Sequence, residues 1–118
     1  MYLRNGLPTY VIYGLEVKPG DVLGRTNQGS AIEHEFLLGY DGAIAHVPDI
    51  WDVFRSDVID NTLSPGGRLR VTRPTRSLEE SEFRFARAKE IMGTSWWSKN
   101  CHEAMDYVVG APPNPWLT

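Results

Sequence analysis

The chain has 118 residues, a single cysteine, Cys101, and three histidines, His34, His46 and His102. A lone thiol excludes an internal disulfide and any multi-cysteine zinc or iron–sulfur site, so Cys101 is either a buried structural residue or a nucleophile. A free thiol, with a pKa near 8.5, is mostly protonated at neutral pH, and both a helix N-terminus and an adjacent imidazole favour its thiolate. A histidine would take the proton and later return it to the leaving group, and a third polar residue would hold that imidazole's tautomer. We expect Cys101 as nucleophile, His34 as base and His46 as the orienting residue, with no cofactor. The same three side chains would also meet the ligand count of a catalytic zinc, which is a lesser alternative.

Three elements must bring these residues together. From Ser30 to Leu38 the even positions Ile32, His34, Phe36 and Leu38 alternate with Glu33 and Glu35. This predicts a half-buried strand with His34 inside and the two glutamates solvated. Tyr40-Asp41-Gly42 supplies turn chemistry, and Ala43–Val47 reads as the return strand of a hairpin, ended by Pro48. A three-residue loop with Gly42 left-handed would pair Gly39 with Ala43 and set Phe36 opposite His46. His34 would then be the same-face diagonal neighbour of His46, about 7–8 Å away between backbones. A two-residue turn at Asp41-Gly42 would instead put the histidines on opposite faces. Asn100 is a good cap for a helix in which Cys101, Ala104, Met105 and Val108 follow helical spacing until Gly110 and Pro112. Cys101 falls in its first turn on the inward side, facing His34, while His102 points away from the cysteine and is expected at the surface or supporting the site from behind, not as the base. Backbone N–H groups at the helix start could serve an oxyanion hole, at about 3 kcal/mol per donor.

Around this centre, Tyr10–Tyr13 and the stretch after Lys18-Pro19-Gly20-Asp21 read as short strands. Ser64–Gly67 is a turn, and Arg68–Arg73 alternates as an edge strand ended by Pro74. Its arginines with Arg76 are expected to be a solvated face. Ser77-Leu78-Glu79-Glu80 fits a capping box opening a helix to about Met92. Asp49–Asn61 is too irregular to assign, and Pro113–Thr118 is expected to be irregular. The length suits one domain over residues 1–118. A hydrophobic content of 42% rules out wholesale disorder. Twelve basic against fifteen acidic residues, a net charge of −3, give no broad field for a phosphate backbone, so no nucleic-acid partner is expected. No apolar run is long enough to span a bilayer and the first residues lack a signal-peptide pattern, which predicts a soluble, cytoplasmic protein.

Asn100-Cys101-His102-Glu103-Ala104 resembles the Asn-Cys-Glu-His-Phe segment of the lecithin:retinol acyltransferase family and of the wider circularly permuted papain-like (NlpC-type) group. Pro19-Gly20-Asp21 is similar to that family's opening Pro-Gly-Asp, and His34 and His46 fall where its two histidines are expected. The helix from Ser77, then Gly93 and Trp96-Trp97, resemble the segment leading to its cysteine. The likeness covers about Pro19 to Gly110. His102-Glu103 inverts the family's order, and no apolar anchor follows the cysteine helix. The resemblance implies an α+β fold, an antiparallel sheet with packed helices in the permuted papain-like arrangement. It also implies a thiol hydrolase or acyltransferase acting through a thioester on a peptide, a modified protein or an acyl lipid. The alternative is a non-catalytic binding or regulatory module on a degenerate papain-like fold.

Overall fold

The computed structural model describes residues 2–4, 6–26, 33–49, 52–62, 67–95 and 101–110. Among the described residues eight strands precede two helices. They are β1 (Tyr2–Arg4), β2 (Leu7–Ile12), β3 (Leu15–Val17), β4 (Val22–Thr26), β5 (Glu33–Leu38), β6 (Ala43–His46), β7 (Arg55–Val58) and β8 (Arg68–Arg73). A 3-10 turn over Ile59–Thr62 follows β7, and the helices are α1 (Leu78–Ile91) and α2 (Cys101–Val109). β1-β2-β3 form one antiparallel sheet, and β7-β6-β5-β4-β8 a second, also antiparallel. The fold is α+β with antiparallel sheets, as the resemblance implies. Neither described helix is long and apolar enough to cross a membrane.

The five-stranded sheet is covered on both faces. Val22, Leu37, Ala45 and Val47 pack with Ala88 and Ile91 of α1 and Ala104, Met105 and Val108 of α2. Leu23, Phe36, Leu38 and Ile44 point the other way and pack with Val17 of β3 and Ile59. Successive residues of a strand face opposite sides, so a strand buried on both loses its apolar–polar alternation. That is why the outward reading of Glu35 fails: it is only 4% exposed, under α2. The expectation that α2 covers the face bearing His34 is corrected by the same parity. Leu37 meets the helices, whereas the His34 ring stands 5.9 Å from that of Phe36 on the opposite face.

The unassigned stretch Asp49–Asn61 contains β7, an edge strand of mostly exposed residues with no apolar alternation to announce it. Hydrogen bonding to β6 makes it a strand, in the register Ile44↔Asp57 and His46↔Arg55. β8 is the opposite edge, as expected, but its arginines are not simply solvated. Arg70 pairs with Glu33, and Arg73 with Glu35 and Asp106.

The Pro19-Gly20-Asp21 segment, between β3 and β4, packs against α1. Buried Asp21 accepts the Lys18 and Thr75 amides, both at 2.8 Å, and Arg84 of α1 donates to the carbonyls of Gly20 and Arg73. Gly20 has φ +100°, and a Cβ there would lie 2.3 Å from Ser81 Oγ, so only glycine fits. Ser77 caps α1 by accepting the Glu80 amide at 3.1 Å, as the capping box predicts. The Asn100 cap, the Ser64–Gly66 turn, Trp96-Trp97, Ser30–Ile32 and the tail from Pro113 lie outside the described residues.

Candidate functional site

The β5–β6 loop takes the three-residue form. Gly39 N–H donates to Ala43 O at 2.7 Å, Leu38 pairs with Ile44 and Leu37 with Ala45, and Gly42 has φ +80°. Asp41 is left-handed too, at φ +54°, which aspartate tolerates better than most residues. Counting outward sets His46 across from Phe36, and His34 and His46 share a face. Their imidazoles touch, with His34 Nε2 2.8 Å from His46 Nδ1.

A third member joins them that sequence reasoning missed. His46 Nε2 lies 3.1 Å from Oδ2 of Asp57 on β7. Asp57 Oδ1 in turn accepts the Val58 amide at 2.8 Å and Asn61 Nδ2 at 2.6 Å. These bonds, the Asn61 contact foremost, hold its carboxyl below the usual range, so it is ionised at neutral pH. An ionised carboxylate can only accept, which fixes the proton of neutral His46 on Nε2. His46 Nδ1 is then an acceptor, so His34 carries its proton on Nε2. His34 Nδ1 is left with a bare lone pair, the form a general base requires. Burial lowers the pKa of His34 to about 4, with the neighbouring His46 and Arg25 charges adding to it, and burial also lowers that of His46. Both rings are neutral in the resting protein.

Cys101 opens α2 and is half-buried. Burial pushes its thiol pKa up and the Glu35 carboxylate adds to that, while the backbone N–H groups of Glu35, Cys101 and His102 act on the sulfur in the opposite direction without cancelling the rise. The Glu35 amide is available because the sheet parts there. Leu38 turns its N–H and C=O toward β4, bonding Asp21 O and Gly20 N, so by alternation Glu35 turns its own toward β6. The β5–β6 pairing ends at Leu37↔Ala45, leaving that level open. The thiol therefore reaches the parting of β5 and β6 from the helix side, while His34, the residue before Glu35, lines the other side. Among the described residues no hydrogen bond joins Cys101 Sγ to His34, so the expected direct contact is not made in this state.

His102 is no bystander. Its Nδ1 bonds Oε1 of Glu35, which also accepts from Thr72 Oγ1 and twice from Arg73. Arg73 continues to Asp106 on α2. Although burial opposes it, this set of donors keeps the Glu35 carboxyl below its usual range. An ion-paired cluster around buried Glu35 thus ties the first two turns of α2, and so Cys101, to the middle of the sheet. Among the described residues no group of three or more His, Cys, Asp or Glu could hold a metal ion, so the zinc alternative finds no ligand set there.

Over the two histidines lies a cleft of about 540 Å³, lined by Arg25, His34, His46, Arg55, Asp57 and Asn61 among others. Compared with known family models and with curated proteins, the chain finds no match in either.

Proposed function

We propose that this chain is a thiol-dependent hydrolase or acyltransferase in the permuted papain-like arrangement that its motifs resemble. Cys101 is the nucleophile and His34 its base, and His46 acts through His34. The observation that carries this reading is the directed chain Asp57–His46–His34, which leaves His34 Nδ1 unprotonated beside the strand residue whose amide serves Cys101.

The steps follow from these roles. His34 Nδ1 takes the thiol proton, and the thiolate, held by the Glu35 and helix-start N–H groups, attacks a carbonyl carbon. The resulting imidazolium keeps its Nε2–H on His46 Nδ1, with Asp57 behind it to offset the charge. The tetrahedral adduct collapses to a thioester as His34 returns the proton to the departing amine or alcohol. Water, or a second acceptor in a transferase, then gives a proton to His34 and displaces the thiol. Candidate substrates are an amide in a peptide, an isopeptide bond to a modifier and an acyl ester. A reduced catalytic thiol suits a reducing compartment, and we assign the protein to the cytoplasm.

The test is intact-mass analysis after incubation with a panel of activated amides and esters. A covalent acyl adduct on the wild type that is absent from Cys101→Ala is the expected result. Absence of any adduct, with Cys101 alkylating no faster than free cysteine, would overturn the reading. The missing bond between Cys101 and His34 favours one competitor, a binding module that retains the fold without turnover, and that result would select it.

A further inference from the structure

A second cavity, of about 250 Å³, lies between α1 and the β5–β6–β7 part of the sheet, on the face away from His34 and His46. It opens to solvent past exposed Ala43, Lys89 and Met92. Small residues leave this space. Gly39, Ala43, Ala45 and Ser56 on the sheet and Ala88 on the helix stand where larger side chains would close the contact between two packed layers. Ala45 and Ser56 are cross-strand partners and Ala43 lies two residues before Ala45, so all three present the same face to α1. Phe85 and Met92 form the wall on the helix side, with Lys89 one turn from each.

The polar side chains of the lining are donors. Lys89 is its only ionisable residue. One turn to either side stand Phe85, Ala86, Met92 and Gly93, none of them a carboxylate, and among the described residues nothing is bonded to the Lys89 ammonium. The charges beside it on α1 turn to α2, where Glu90 accepts from Tyr107 Oη and Arg87 donates to the Tyr107 carbonyl. Ser56 Oγ has the Met92 sulfur as its partner, 3.9 Å away, and a thioether is a weak acceptor. An ammonium and a hydroxyl are thus on offer beside an apolar cavity whose lining holds no side-chain anion.

We propose that this cavity binds a small aromatic carboxylate, its ring seated among Phe85, Ala88 and Met92 and its carboxylate met by Lys89 Nζ and Ser56 Oγ. Size, lining and charge each support this occupant. A cavity of about 150 Å³ takes benzene, so one of about 250 Å³ takes a ring with a short carboxylate arm. Aromatic rings gain from contact with a thioether or a second ring, and Phe85 already holds the ring of Tyr40 at 6.3 Å on one side. Charge-assisted hydrogen bonds to an ammonium that has no protein partner favour the anion over a neutral or cationic analogue. The site goes beyond the thiol chemistry and stands whether or not Cys101 turns over a substrate, because no residue of α2 lines it.

The experiment follows the methyl signals of Ala45, Ala88 and Met92 by ¹³C-edited NMR at neutral pH and constant ionic strength while phenylacetate, phenethyl alcohol or phenethylammonium is added. The three probes share a ring and differ in charge. Saturable shifts are expected with phenylacetate, which should bind about tenfold more tightly than the other two. Lys89→Met keeps the apolar stem and removes the charge, so it should raise half-saturation for phenylacetate about fivefold and leave the alcohol unchanged. Ala43→Leu fills the cavity from an exposed position and should abolish the shifts with every probe. The Cε1–H signals of His34 and His46, on the opposite face of the sheet, show that each variant is folded. No saturable shift with phenylacetate, equal binding of the three probes, or unchanged phenylacetate binding in either variant overturns the proposal.

Discussion

Replacing Asp57 by asparagine should harm the site more than replacing it by alanine. The Oδ1 position of Asp57 receives two donors, the Val58 amide and Asn61 Nδ2, so an asparagine must put its carbonyl oxygen there. Its NH2 then occupies the Oδ2 position and faces His46 Nε2, 3.1 Å away in the wild type. A donor in that place forces Nε2 to accept, moves the His46 proton to Nδ1, and so turns the 2.8 Å bond to His34 around. His34 now holds its proton on Nδ1, and the base is gone. Restoring the productive tautomer would set two N–H groups against each other and leave a buried donor unpaired. That costs about 3 kcal/mol, or roughly 150-fold in rate. Alanine removes the acceptor without supplying a donor, so His46 keeps access to both tautomers and a loss of about tenfold is expected. The assay is the rate of iodoacetamide labelling of Cys101 across pH, with imidazole ¹⁵N shifts reporting the tautomers directly. Asp57→Ala slower than Asp57→Asn, or unchanged tautomers in Asp57→Asn, would refute the reasoning.

Cys101→Ala should abolish turnover, and His34→Ala should slow turnover and shift the alkylation profile of Cys101 upward in pH; an unmoved profile removes His34 as the base. The unfolded chain binds a proton to His34 near pH 6.5 and the folded one only near 4, so stability is full above the first value and lost as pH falls between them. The loss should be on the order of 3 kcal/mol, read by urea unfolding at several pH values and reduced in His34→Gln. Gly20→Ala should destabilise by about 3 kcal/mol or more, because it combines a left-handed φ with a clash on Ser81; a loss of unfolding free energy in urea under a quarter of that size would show that the junction yields.

Where local pattern controls structure, the sequence is legible. The Ser77 cap, the left-handed Gly42 that sets the hairpin register, and the inward spacing of Ala104, Met105 and Val108 are all local, and with them comes the His34–His46 contact. What depends on chain segments meeting across the fold is not legible. Asp57 sits in a polar strand that exists only because β6 offers it an edge, so neither periodicity nor propensity marks it. Glu35 looks solvated because its burial comes from α2, over sixty residues away, and the ion pairs that make this tolerable come from β8 and α2. The alternation of Glu33, His34 and Glu35 correctly separates the two faces. It does not reveal that the cysteine helix covers the glutamate face, because Leu37 and Phe36 are equally apolar.

The relay and the thiol also differ in when they come into being. His34, His46 and Asp57 lie on three consecutive strands joined by short connections, a local meander that can pair soon after it leaves the ribosome. Cys101 follows every described strand, and its helix docks on Glu35 beside Arg73 of β8, the last of those strands to be made. At typical synthesis speeds of about 5–20 residues per second, some seconds separate the two. Under the proposed chemistry a nascent chain carries an assembled base with no nucleophile, and the thiol meets its activating N–H groups last. Reactivity then marks completion of the fold, and incomplete chains are inert.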